Sequence, residues 1–162
     1  MHYPAPQNRI KSRELWPISD STDAAEVRHH PAMSPEQTSG LYGSDVLVVE
    51  DHAETREMVA LYLTGHKIPV RTASNAFEAL DAVRTGPPAL ILLDLMMPQL
   101  SGESFRRFLS ADPRLSAIPI VVVSASPHAD EESQRMGAVA CIHKPVDLEG
   151  MLSIIKRYLR TR

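Results

Sequence analysis

From residue 45 onward, two hydrophobic patterns alternate along the chain. Short strand-like segments recur at 45–50, 68–73, 89–93, 118–123 and 139–142, most of them nearly continuous apolar runs. Runs of this length are what strands covered on both faces require. Between them lie stretches in which apolar residues return every three or four positions, the period of a helix packed along one side. Residues 53–64 carry Met58, Leu61 and Tyr62 at that spacing, with Gly65 as a stop. Asn75 is placed to cap a second helix, with Glu78 three residues on and Phe77, Leu80 and Val83 as its buried stripe. Residues 102–111 carry Phe105, Phe108 and Leu109, and 128–136 is a short polar helix. Asp147 opens a last helix with Leu148, Met151, Leu152, Ile155 and Leu159 on one face.

Five strand–helix units in this order predict an α/β fold, a doubly wound parallel sheet with helices on both faces and right-handed crossovers. Pro69 lacks the N–H that a central strand needs, so the 68–73 strand is expected at an edge.

Residues 1–44 break the pattern. Five of the 13 prolines fall there among Ser, Thr, Gln and Asn, and no apolar period is sustained. Such a stretch buries too little surface to offset its ordering entropy. It is expected to be a disordered tail or linker, with Ile10, Leu15 and Trp16 as a minor candidate for a docking motif. The folded domain is expected to span 45–162.

Composition adds constraints. The chain has 162 residues, 43% of them hydrophobic, enough for one domain with a real core. A net charge of −3 offers no electrostatic footprint for nucleic acid or anionic membrane. Cys141 is the only cysteine, so no internal disulfide forms, which fits a reducing compartment. No apolar run reaches the roughly 18 residues of a membrane span, and the N-terminus lacks a secretory pattern. A cytoplasmic protein is expected.

In open α/β sheets, ligands bind beyond the carboxyl ends of the strands. Those ends carry chemistry: Glu50 and Asp51 after the first strand, Asp94 after the third, Ser124 after the fourth and Lys144 after the fifth. Clustered carboxylates repel one another unless a cation sits among them. An all-oxygen set with few protein ligands suits Mg²⁺, which retains waters and engages phosphate. Asp94 is the candidate nucleophile for an aspartyl phosphate. Asp51 and Asp94, with Glu50 directly or through water, are the metal candidates. Lys144 and Ser124 are candidates for charge neutralisation and hydrogen bonding to phosphoryl oxygens. Singly, each residue could be an ordinary strand-end or loop residue; the signal is that all five share one edge. His52, His66, His128 and His143 lack metal-ligand spacing and are expected to be solvated. No glycine-rich phosphate loop is present.

Val46-Leu47-Val48-Val49-Glu50-Asp51, Leu93-Asp94-Leu95-Met96-Met97-Pro98 with Gly102, Val123-Ser124-Ala125 and Lys144-Pro145 together resemble the receiver domain of two-component response regulators. The resemblance covers 45–162. It implies a flavodoxin-like sheet of order 2-1-3-4-5 and a phosphoryl group accepted by Asp94. It implies Mg²⁺ held by Glu50, Asp51, Asp94 and the Met96 backbone carbonyl, phosphate contacts from Ser124 and Lys144, and a cis Lys144–Pro145 bond. The implied partners are a sensor histidine kinase or histidine phosphotransfer protein and a downstream protein target, with output by protein–protein contact. One position departs from the pattern: Cys141 stands where receivers usually carry the Tyr or Phe that turns inward on activation. Three alternatives remain: the C-terminal receiver of a hybrid kinase, a metal-dependent phosphatase with an aspartate nucleophile, and a binding module that is never phosphorylated. The phosphatase is disfavoured because Met96 stands where such enzymes carry a second Asp.

Overall fold

A computed structural model of the chain describes residues 43–98 and 101–160. The Ile10, Leu15 and Trp16 motif lies outside the described residues. Five strands, β1 (Val46–Val49), β2 (Val70–Ala73), β3 (Leu90–Asp94), β4 (Ile120–Ser124) and β5 (Ala140–His143), form one sheet in the order β2-β1-β3-β4-β5. All four pairings are parallel. The helices are α1 (Ala53–Gly65), α2 (Ala76–Thr85), α3 (Gly102–Ser110), α4 (Pro113–Ser116), α5 (Ala129–Arg135) and α6 (Leu148–Arg160).

Side chains alternate across each strand, so one strand feeds two cores. Leu47, Val49, Ile91, Leu93, Ile120 and Val122 face the layer made by α2, α3 and α4. Val46, Val48, Leu90, Leu92, Val121 and Val123 face α1 and α6. Both faces are covered, which is why β1, β3 and β4 are buried along their whole length and read as unbroken apolar runs. The strand expected at an edge is at one. It begins at Val70, and Pro69 stays outside the ladder while its carbonyl accepts from Val46 N–H at 2.9 Å.

Two helical faces differ from the sequence reading. On α1 the buried residues are Val59 and Leu63, whereas Met58 is 45% and Leu61 66% exposed. At about 100° per residue Leu61 points away from the side that Leu63 buries. On α2 the sheet-facing positions are Ala76, Ala79, Leu80 and Val83, and Phe77 turns outward. The sheet side combines leucine with valine or alanine, Val59 and Leu63 on α1 and Ala76, Ala79, Leu80 and Val83 on α2, while Met58, Leu61 and Phe77 from the sequence pattern are exposed. Helix α4 was not anticipated, although Asp112 capping with Pro113 in the first turn is a start signal. The Asn75 cap forms as expected: its Oδ1 accepts from Glu78 N–H at 2.9 Å, and Glu78 reaches back to Ser74 N–H at 2.7 Å. Gly102 opens α3 where a Cβ would lie 2.7 Å from Leu95 Cδ2 and 2.9 Å from Met136 Sδ. A Cβ there would require the Leu95 and Met136 side-chain ends to shift.

Candidate functional site

Strand register brings the acids together. Val49 pairs with Leu93, so Glu50 emerges beside Asp94, and Asp94 itself pairs with Val123. Ser124 pairs with His143, which brings Lys144 to the same edge. Glu50 and Asp94 are buried, at 5% and 4% exposure, and Ser124 is fully buried. The Lys144 ammonium spans the two acids, donating to Glu50 Oε2 at 2.7 Å and Asp94 Oδ2 at 2.8 Å. One cation therefore compensates two carboxylates that the fold removes from water. Burial pushes the Glu50 carboxyl above its usual range; the Lys144 hydrogen bond opposes this and the nearby Asp94 charge reinforces it. Burial alone would lower Lys144, but the bonds to Asp94 and Glu50 outweigh it and hold the ammonium above its ordinary value.

Backbone groups complete the frame. Met96 N–H donates to Asp94 Oδ1 at 2.8 Å, which orients the carboxylate, while the Met96 side chain is 59% exposed. His52 N–H donates to Glu50 Oε1 at 3.2 Å. Ser126 N–H donates to Ser124 Oγ at 3.1 Å, and Lys144 N–H to Ser124 O at 2.9 Å. The Lys144–Pro145 bond is cis. Arg56, which the sequence reading passed over, clamps the loop after β1 through Nη1 to Glu50 O at 2.7 Å and Asp51 O at 3.2 Å. Its only signal was its place in the first turn of α1, one turn beyond the acids.

Asp51 is exposed at the mouth of the site. Ligand-capable atoms of Glu50, Asp51 and His52 lie within 4.8 Å of one another. The carboxylates of Glu50, Asp51 and Asp94 make an oxygen-rich donor set at one strand edge, and that fits a hard divalent cation such as Mg²⁺. The His52 ring belongs to the same cluster but offers nitrogen, the less suitable donor for that ion.

A second group lies away from these acids. Cys141 is half-buried on β5 and packs against the core on the side that α5 covers. Burial, and then the Asp130 carboxylate, push its thiol up. His143 is exposed to solvent, as expected, and its Nε2 also lies 3.2 Å from Asp130 Oδ1. No local spacing links Asp130 to Cys141 and His143, so the sequence pattern could not reveal this; the β4–α5–β5 crossover makes the contact.

The response regulator receiver domain profile matches residues 46–156, more than half of the chain. This chain belongs to the response regulator receiver family. The polar-differentiation response regulator DivK of Brucella anthropi is 33% identical over 116 residues, covering 70% of this chain and 94% of DivK. The response regulator Rre1 of Synechocystis is 32% identical over 117 residues, and this chain spans only about half (51%) of it. Among solved structures, the chemotaxis protein CheY4 of Vibrio cholerae superposes with a TM-score of 0.65 at 27% identity, covering 71% of this chain and 98% of CheY4. The receiver fold, the 2-1-3-4-5 sheet and a role in two-component signalling follow from family membership. The phosphatase and binding-module alternatives are not favoured, and a receiver is not a classical enzyme. No described helix is long and apolar enough to cross a membrane.

Proposed function

We propose that this receiver accepts a phosphoryl group on Asp94 with Mg²⁺ bound beside it. The donor is a phosphohistidine of a sensor kinase or histidine phosphotransfer protein, and the phosphorylated surface acts on a downstream protein. The observation that carries the reading is the Lys144 ammonium held between Glu50 and Asp94. It puts a fixed positive charge where a phosphoryl group on Asp94 would bring negative charge.

In the transfer, an Asp94 carboxylate oxygen attacks phosphorus in line. The P–O bond forms as the P–N bond breaks, and the imidazole nitrogen leaves with the electron pair. Lys144 then shifts its hydrogen bonds from carboxylate to phosphoryl oxygen. Ser124 Oγ, already oriented by Ser126 N–H, donates to a second phosphoryl oxygen. Glu50, Asp51, Asp94 and the Met96 carbonyl would hold Mg²⁺, whose charge stabilises the phosphoryl oxygens. The domain thus promotes its own phosphorylation and hydrolysis without turning over a free substrate.

The test is transfer from a labelled phosphohistidine donor with Mg²⁺ present. Wild type should acquire an acid-stable, base-labile label, and Asp94→Asn should acquire none. Undiminished labelling of Asp94→Asn would overturn the assignment.

A further inference from the structure

Besides the acids after β1, one cluster among the described residues joins cysteine, histidine and carboxylate. Cys141 and His143 lie two apart on β5, so their side chains share one face of the sheet. The core memberships agree: Cys141 packs on the side of α2 and α3, while the intervening Ile142 packs on the side of α1 and α6. Asp130, near the start of α5, completes the group from a second element. The Cys141 Sγ, a His143 ring nitrogen and an Asp130 carboxylate oxygen all lie within 4.8 Å of one another.

We propose that Asp130, Cys141 and His143 form a binding site for a divalent transition-metal ion of the zinc class. A tetrahedral Zn²⁺ with one sulfur, one nitrogen and one oxygen ligand sets those donors about 3.3–3.6 Å apart. His143 Nε2 and Asp130 Oδ1 already stand 3.2 Å apart. The remaining separations close with side-chain shifts on the order of an ångström, which side chains open to solvent on two of the three residues can make.

The donor set separates this ion from the one expected at Asp94. Thiolate and imidazole select Zn²⁺, Co²⁺ or Cu over Mg²⁺, which takes oxygen. Three protein ligands leave a fourth position for water or for a side chain of a bound partner. Cys141 loses its thiol proton to solvent as the ion binds. Buried Ser133, three residues beyond Asp130 on α5, lies near enough to act on the Cys141 thiol and can orient the sulfur from the outer shell. The ion ties β5 to α5 at the position where receivers usually carry an aromatic ring. Metal occupancy therefore stiffens the segment through which this domain lacks the usual aromatic readout.

Co²⁺ is the probe, added to the full-length chain under reducing conditions. Cys141 is the only cysteine, so a thiolate-to-cobalt charge-transfer band has one possible origin. One equivalent should develop that band in wild type and in Asp94→Asn. Stoichiometric Zn²⁺ should abolish it, and excess Mg²⁺ should not. Cys141→Ala should lose the band, with Cys141→Ser as the second sulfur-free variant should alanine disturb folding. His143→Ala and Asp130→Asn should each weaken Co²⁺ binding by more than about tenfold. Absence of the band at excess Co²⁺ would overturn the proposal. So would a band whose strength and affinity survive both His143→Ala and Asp130→Asn, because the sulfur would then bind alone.

Discussion

Lys144 pairs with two buried carboxylates at once, Glu50 and Asp94. Removing its charge by Lys144→Met leaves Glu50 and Asp94 facing each other in a buried site. The expected loss lies at the lower end of the roughly 3–5 kcal/mol that opening a buried pair costs, because Lys144 itself reaches solvent. The pH dependence follows from its pKa, which the fold raises above the ordinary 10.5. Such a group stabilises fully below its unfolded value and loses that contribution as pH rises through its folded value. The stability gap between wild type and Lys144→Met should therefore hold at neutral pH and narrow above 10.5. Denaturant midpoints measured from pH 7 into that range decide it; a gap that widens there contradicts the pairing. At this scale the sequence was informative where a residue ended an apolar run: Glu50, Asp51, Asp94, Ser124 and Lys144 were all legible that way. Arg56, and the Asp130 contact with His143, were not, because both depend on how a helix returns to the sheet edge.

At the scale of elements, strands were easier to read than helix faces. A parallel strand buried on both sides announces itself as a run, whatever its exact register. A helix face is defined by angle, and α1 shows how large side chains mislead. Met58 and Leu61 are 45% and 66% exposed, yet Val59 and Leu63, in the same short stretch, are the ones it buries. Leu63→Ala should cost about 2–5 kcal/mol, as removal of a buried leucine does. Leu61→Ala should stay within about 0.5 kcal/mol of wild type. Urea unfolding of the two variants side by side tests this, and equal losses would mean that α1 is rotated from the orientation described. Helix α2 repeats the lesson, with Ala76 and Ala79 against the sheet and Phe77 outside. Alanine is silent in a hydrophobic pattern but permits the close approach that the layer requires.

For the whole molecule, the fold gathers carboxylates at one edge, and the proposed Mg²⁺ site there would couple ion binding to stability. A ligand that binds only the folded state stabilises it by mass action, about 2.7 kcal/mol at roughly a hundredfold excess over Kd. Mg²⁺ should accordingly raise the melting temperature of wild type in a concentration-dependent way, and Asp51→Asn should respond far less. Equal shifts in both proteins would place the ion elsewhere. The parallel sheet and the site edge were legible from the alternation of runs and helical stretches together with the strand-end residues, and Pro69 marked the β2 edge, whereas the full 2-1-3-4-5 order came only from the resemblance to receivers. The direct Lys144 bridge between Glu50 and Asp94 was not, since it depends on register between β1, β3 and the turn after β5. The central claim is that Asp94 carries the phosphoryl group. The most direct measurement is to phosphorylate the full chain with a small-molecule phosphodonor and Mg²⁺, reduce the acyl phosphate with borohydride and map the modified residue by peptide mass spectrometry. The account predicts a single conversion of aspartate to homoserine at position 94; conversion at another residue, or none at 94 in a protein that has taken up phosphate, would contradict it.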